Sequence, residues 1–344
     1  MLQPVSAAAQ RHATRIRLYF ELEHEGVSGF GEVDPQPFAL NGDPDVGEVI
    51  NELELVVAPQ IVRAFQREGE IASWTRIARF AGPRSSSATS VCLVEMAILD
   101  RELRAQGLSL RSLWPKTFET PLQETVSLLD HGASWNVSVD ARRVRVKTAP
   151  GVIDELGLAR LSSLSVPVLL DFNCSATGDA DVLDQLDQLG DRVTELRVEA
   201  VEQPFAAGNV IDHSRLAEQL EVGLSLDEGV RTVRDIEQIV RYGAATLICV
   251  KPARVGGYAN AKTMILRARE LGLEAYLGGF FESPFARAVN RTLAEHVVSV
   301  PSDIGVIATL DSVNDSAVRV VDGGFEVAPS SHLLENASLV ATFE

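Results

Sequence analysis

The run Val166-Pro167-Val168-Leu169-Leu170-Asp171 is a short apolar stretch ending in a carboxylate, and the same pattern recurs on either side of it. Val144-Arg145-Val146 precedes Lys147, Val198-Glu199-Ala200-Val201 precedes Glu202, Leu224-Ser225-Leu226 precedes Asp227, and Leu247-Ile248-Cys249-Val250 precedes Lys251. Apolar runs of this length, each followed by a turn and a helix-like segment, read as buried parallel strands alternating with helices. A (β/α)8 barrel gathers the ends of such strands around one mouth. Asp171, Glu202, Asp227, Lys147 and Lys251 would therefore converge there.

Three converging carboxylates repel one another unless some stay protonated or a cation joins them. With no His or Cys in the set, the donors are hard oxygens, which favour Mg2+ (or Mn2+ in its place) over zinc or copper. The two lysines, on different strands, would flank whatever small molecule the metal holds. A partly desolvated lysine beside a divalent cation has its ammonium form disfavoured, which suits it to act as a base.

At 344 residues the chain is long enough for a barrel and a smaller second domain. A formal net charge of -17 and a pI near 4.8 argue against a nucleic-acid or anionic-membrane surface. An acidic substrate such as a small carboxylate would need a locally positive site, which the metal and lysines would supply; a homo-oligomer is also expected, though not on the ground of charge. Cys92, Cys174 and Cys249 are scattered, without zinc spacing, as in a reduced cytoplasmic protein. No run of 18 apolar residues occurs, and the N-terminus lacks a charged segment followed by an apolar one.

Outward from the repeating stretch, Arg15 to Glu23, a turn at His24-Glu25-Gly26 and a run from Gly29 to Val33 predict a hairpin. Helices are expected over Asp43 to Arg67 and Ser87 to Gln106, the second closed by Gly107. Its face of Val91, Glu95, Met96, Ile98 and Leu99 carries one acid, read as a rim residue or a partner for an arginine. Recurrent apolar runs begin near Thr120, so the boundary is placed near 118. Barrel strands are expected at Glu124 to Leu128, Arg143 to Lys147, Val166 to Asp171, Val198 to Glu202, Gly223 to Asp227, Thr246 to Lys251, Glu274 to Gly278 and Val298 to Ile307. Helices are expected at Thr232 to Tyr242, Ala259 to Leu271 and Pro284 to His296.

In this order the motifs Arg145-Val146-Lys147, Asp171-Phe172-Asn173, Glu202-Gln203-Pro204, Asp227-Glu228, Lys251-Pro252-Ala253-Arg254-Val255-Gly256-Gly257-Tyr258 and Gly278-Gly279-Phe280-Phe281-Glu282-Ser283 resemble the enolase superfamily. The resemblance is to its muconate-lactonizing-enzyme-like branch, and within that to the o-succinylbenzoate synthase and N-succinylamino acid racemase group. It implies an α/β protein: a modified (β/α)7β TIM barrel (119–322) under an N-terminal α+β capping domain (1–118), with 323–344 returning to the cap. It implies Mg2+ on Asp171, Glu202 and Asp227, and Lys147 and Lys251 on opposite faces of a carbon next to a carboxylate. Loss of a β-hydroxyl after proton abstraction would be a dehydration, the first choice; return of a proton by the opposite lysine would be a racemisation or epimerisation.

Around that core, Asn173 is expected to hydrogen-bond near the metal. Glu228 and Gly279 fall in the motifs beside the site, and Glu282 would orient a lysine or a polar substrate group, or stand behind the site. Arg145 replaces the first Lys of the family's Lys-x-Lys, and its expected role is electrostatic. The chain also begins about one strand later than is usual in the family, whose mobile active-site loop would fall near Pro4 to Arg11. Two rivals stand beside this reading. Gly256-Gly257 and Gly278-Gly279 follow late strands, where barrels often bind phosphate, as in an isomerase or aldolase. With Arg145 and an altered front end, the chain could also be a retired barrel kept as a scaffold.

Overall fold

A computed structural model describes residues 16–304 apart from 83, 130–134 and 136, together with the backbone of 5–7, 10–12, 318–321 and 324–327. Strands β1 (Val5–Ala7) and β2 (Gln10–His12) pair antiparallel, on part of the stretch where the mobile loop was expected; the rest of that stretch lies outside the described residues. Strands β3 (Leu18–His24) and β4 (Val27–Val33) form the predicted hairpin, in register from Leu18 opposite Val33 to His24 opposite Val27. Its two turn residues, Glu25 and Gly26, both have positive φ (55° and 74°). That is the backbone twist a two-residue hairpin turn requires.

The hairpin lies flat on the helix Ser85–Gln106, and its sequence permits this because glycines face the helix. A Cβ on Gly31 would sit 1.9 Å from the carbonyl oxygen of Leu93, and one on Gly29 would sit 2.2 Å from that of Ala97. The helix ends at Gly107, in the left-handed conformation. Between Ser86 and Leu99 nearly every side chain is buried, as expected of a helix packed on more than one face. On another face Thr89 Oγ1 donates to the carbonyl of Ala253. The earlier helical stretch starts at Asp45, which forms a capping box with Glu48, and runs from Val46–Glu52 through a π-helical turn at Leu53–Val57 into Ala58–Glu68.

Seven parallel strands come next in chain order: β5 (Leu122–Ser127), β6 (Ala141–Lys147), β7 (Val168–Asp171), β8 (Val198–Glu202), β9 (Gly223–Leu226), β10 (Leu247–Val250) and β11 (Glu274–Leu277). The helices Val233–Tyr242, Tyr258–Glu270 and Pro284–Val297 lie where expected, within a residue or two. The sheet curls strongly, because side chains from distant strands meet: the Arg143 guanidinium on β6 lies 5.0 Å from the Tyr276 ring on β11. The expected eighth strand is reduced to isolated parallel bridges, Leu122 with Ser302 and Gly278 with Asp303, and 305–307 lie outside the described residues. The short hairpin of β12 (Val318–Val321) and β13 (Gly324–Val327) comes last. Apart from β13, the segment 323–344 lies outside the described residues. Among the described residues no helix is long and apolar enough to cross a membrane.

Candidate active site

Strand register places the predicted residues in one row. Lys147 pairs with Asp171 and Asp171 with Glu202, while Ser225, two residues before Asp227, pairs with Glu202. Lys251 directly follows β10. The sheet order therefore sets Asp171, Glu202 and Asp227 between the two lysines. Asp171 and Glu202 are 0% exposed, Asp227 1% and Lys251 7%.

Tight turns after the strands orient these groups. Asn173 and Cys174 come after β7 with positive φ (45° and 63°), and Gln203 comes after β8 at 38°. Such backbone is costly for residues other than glycine and persists where surroundings enforce it. Here the Asn173 N–H returns to Asp171 Oδ1 at 2.9 Å, an Asx-type turn that fixes the carboxylate. Gln203 does similar work from the next strand, since its Oε1 accepts from the N–H groups of Asp227 (2.9 Å) and Gly229 (3.1 Å).

Each carboxylate meets a cation. Lys147 Nζ donates to Asp171 Oδ2 (3.3 Å) and to Asn173 Oδ1 (2.7 Å). Arg145 Nη1 donates to Glu202 Oε1 (3.1 Å), its Nε lies 3.8 Å from Asp171, and its Nη2 pairs with Asp303. Tyr276 OH donates to Glu202 Oε2 (2.6 Å). Lys251 Nζ donates to Asp227 Oδ2 (2.8 Å) and sits 4.9 Å from the Phe280 ring, while Arg254 takes Asp227 Oδ1.

The charge balance is uneven across the row. Burial, then repulsion from Asp171, pushes Glu202 up to about 8 even though Arg145 opposes the shift. Burial, then the negative charge of Asp227, likewise lifts Glu228 to about 7. Burial alone would also raise Asp227, but Arg254 and Lys251 outweigh it and hold that carboxyl well below its usual range. For Lys251, burial alone would lower the ammonium, yet Asp227 holds it above its ordinary value. Beside Asp227 the adjacent carboxylate outweighs desolvation; the expectation of a disfavoured ammonium was for a lysine beside a divalent cation.

Among the described residues no three acidic, His or Cys side chains stand as a ready metal-holding group, because the oxygens of Asp171, Glu202 and Asp227 are turned to their neighbours. The donor set nonetheless fits a hard cation in its chemistry, with three buried carboxyl groups on successive strands and Glu202 pushed up by burial and then by repulsion from Asp171. Beside them Glu228 Oε2 is buried without a hydrogen-bond partner.

Glu228, Glu282 and Gly279 also lie near the row. Glu228 Oε1 accepts from Asn173 Nδ2 and Asn41 Nδ2, both at 3.4 Å. Glu282 Oε1 accepts from the Phe280 N–H at 2.7 Å, so it braces its own loop. A Cβ at Gly279 would meet Glu282 Oε2 at 2.6 Å. Glu95 is a correction: it is neither on a rim nor paired with an arginine. Fully buried, it accepts from the Ala259 N–H (2.9 Å) at the start of the helix Tyr258–Glu270, and burial pushes it up to about 8. The phosphate reading loses support for the same reason. Any anion near Gly257 or Gly279 would meet the carboxylates of Glu95 and Glu282, which already fill the space beside each glycine.

Sequence reasoning missed Asn41, Asp43, Arg254, Tyr276, Phe280 and Asp303. One signal was present for Arg254: it lies three residues after Lys251, on the one-turn helix Pro252–Val255, and so faces back toward the strand end.

Comparison with known proteins gives the family and the fold. A model of the family described as Enolase C-terminal domain-like matches residues 131–330. A Bacillus subtilis (strain 168) protein named o-succinylbenzoate synthase is 27% identical over 82% of this chain and 76% of its own. An Amycolatopsis sp protein named N-succinylamino acid racemase is 29% identical over 74% of this chain and 69% of its own. The crystal structure of an enolase superfamily member from Listeria innocua Clip11262 superposes with a TM-score of 0.74 at 21% identity, over 95% of this chain and 88% of that one.

Proposed function

The chain belongs to the enolase superfamily, and from that premise we propose that it is a Mg2+-dependent enzyme that abstracts a proton next to a substrate carboxylate. One observation carries the reading: sheet order sets three buried carboxylates between Lys147 and Lys251. Asp171, Glu202 and Asp227 would hold the cation, which when bound would offset their mutual repulsion and stabilise the negative charge that develops as the proton leaves. In this reading the sheet closes as a (β/α)7β barrel beneath a cap formed by 1–118, and the bridges from Ser302 and Asp303 to both sheet edges support that closure.

Lys147 and Lys251 approach the substrate carbon from opposite sides. One lysine, in its neutral form, takes the α-proton onto Nζ. In a dehydration the bond from the β-carbon to its hydroxyl then breaks, and the hydroxyl leaves as water with the proton given back by the lysine ammonium that had taken it. In a racemisation the opposite ammonium returns a proton to the carbon. Arg145 cannot titrate in this range and acts through its charge. Its bonds to Glu202 and Asp303 hold it in place for that role.

The first choice of reaction is dehydration of the o-succinylbenzoate synthase type, supported by the relative of that name. N-acylamino acid racemisation is the alternative, supported by the Amycolatopsis relative, with dipeptide epimerisation behind it. The test is α-hydrogen exchange in D2O with Mg2+, on a panel of N-succinyl amino acids, dipeptides and the cyclohexadiene acid. Exchange with one class that disappears in EDTA is expected. Absence of exchange across the whole panel contradicts the proposal and leaves the retired scaffold.

A further inference from the structure

Arg254 has more partners than its place beside Lys251 requires. Its Nη1 pairs with Asp227 while its Nε and Nη2 grip both oxygens of Asp43 at 2.8 and 2.6 Å. All three side chains are buried. Asp43 comes from far away in the chain, from the loop before the helix Val46–Glu52. Arg231 Nη2 ties the same loop down through Asp43 Oδ1 and the Asn41 carbonyl, both at 3.2 Å. Asn41 Nδ2 reaches the Asn173 carbonyl at 3.1 Å. The loop folds on itself through paired backbone bonds between Leu40 and Asp43, at 3.0 and 2.8 Å.

We propose that Asp43 and Arg254 are positioning residues that couple the 40–43 loop to the cation-binding carboxylates: Asp43 holds Arg254, and Arg254 governs how far Asp227 is free to take a divalent cation. The inference rests on the metal-site reading above. Its physical basis is competition for one guanidinium. A bidentate arginine–carboxylate pair is strong and directional. While Asp43 shares Arg254, the arginine's hold on Asp227 is divided. Without Asp43 the whole cation falls to Asp227, and an incoming metal ion must displace it. By reciprocity, a cation that takes Asp227 leaves Arg254 to Asp43 and tightens the loop.

The test measures Mn2+ binding by the free-ion EPR signal in the full chain, in wild type, Asp43→Asn, Arg254→Gln and the double variant, with melting curves to confirm folding. Asp43→Asn is expected to weaken Mn2+ binding about tenfold when Arg254 is present and less than about twofold in the Arg254→Gln background, the signature of action through the arginine. An equal loss in both backgrounds, or none in either, overturns the coupling while leaving the metal site intact. Absence of Mn2+ binding by wild type overturns the metal site and the coupling with it. Because an Asp43 variant could fail to fold, amide exchange of residues 40–43 in wild type serves as the second measurement. Slowing of about threefold or more on adding Mn2+ is expected, and unchanged exchange overturns the proposal.

Discussion

The two lysines occupy matching ends of parallel strands, yet their surroundings differ. Lys147 shares its ammonium between a carboxylate and the neutral amide oxygen of Asn173. Lys251 faces Asp227 alone, under the Phe280 ring, with Arg254 bound to the other oxygen of the same acid. The loops that leave the strands create this difference. After β7, a left-handed turn lets Asn173 fold back on Asp171 and offer its side chain to Lys147. After β10, a proline starts a single helical turn that carries Arg254 back to the mouth. Strand position thus places a lysine, and a neighbouring loop decides what it meets.

The largest expected effect breaks the symmetry directly. Lys147→Ala and Lys251→Ala should each lower α-proton exchange by about 10²–10⁴-fold, each for the opposite enantiomer of a chiral substrate. Exchange from both enantiomers lost equally in one variant and untouched in the other would contradict two-sided access. Next, Arg145→Ala leaves Glu202 and Asp303 without their shared guanidinium and should cost about 3–5 kcal/mol of stability in denaturant unfolding. On the other side, Gly278→Ala should cost about 1–3 kcal/mol, since its Cβ would lie 2.4 Å from Cys249 Sγ and 3.1 Å from Lys251 Cε. Backbone shift there should displace Lys251 and spare Lys147.

The smallest effect is a pH dependence of stability that Glu95 and Glu32, away from both lysines, share in sign with Glu202 and Glu228 at the site. Burial raises Glu95 to about 8 and Glu32 to about 7, from an ordinary value of 4.5. A carboxyl with a folded pKa above its unfolded one binds its proton more tightly when folded, so its contribution is lost as pH climbs through that interval. The protein in EDTA should therefore melt at a lower temperature at pH 8.5 than at pH 6; a rise over that range contradicts the assignment. Glu95→Gln should reduce the difference.

Strand ends were legible because an apolar run followed by an ionisable residue is a local pattern, and Lys147, Asp171, Glu202, Asp227 and Lys251 all lie in one. The partners of those residues were not. Asp43 meets Arg254, and Tyr276 meets Glu202, across long stretches of chain that no periodicity links. Glu95 was misread for a related reason: helical spacing showed an acid on an apolar face, but not that another helix starts against it. The expected strand at Val298 to Ile307 was legible in place but not in length: among the described residues its parallel pairing is at Ser302, with Leu122, and at Asp303, with Gly278, while Val298 and Ile304 are buried.

Anomalous diffraction from crystals soaked in Mn2+ addresses the central assignment without needing a substrate. A single strong peak bounded by the carboxylates of Asp171, Glu202 and Asp227, with Lys147 and Lys251 to either side, is the expected result. A peak elsewhere, or none at millimolar Mn2+, would contradict it.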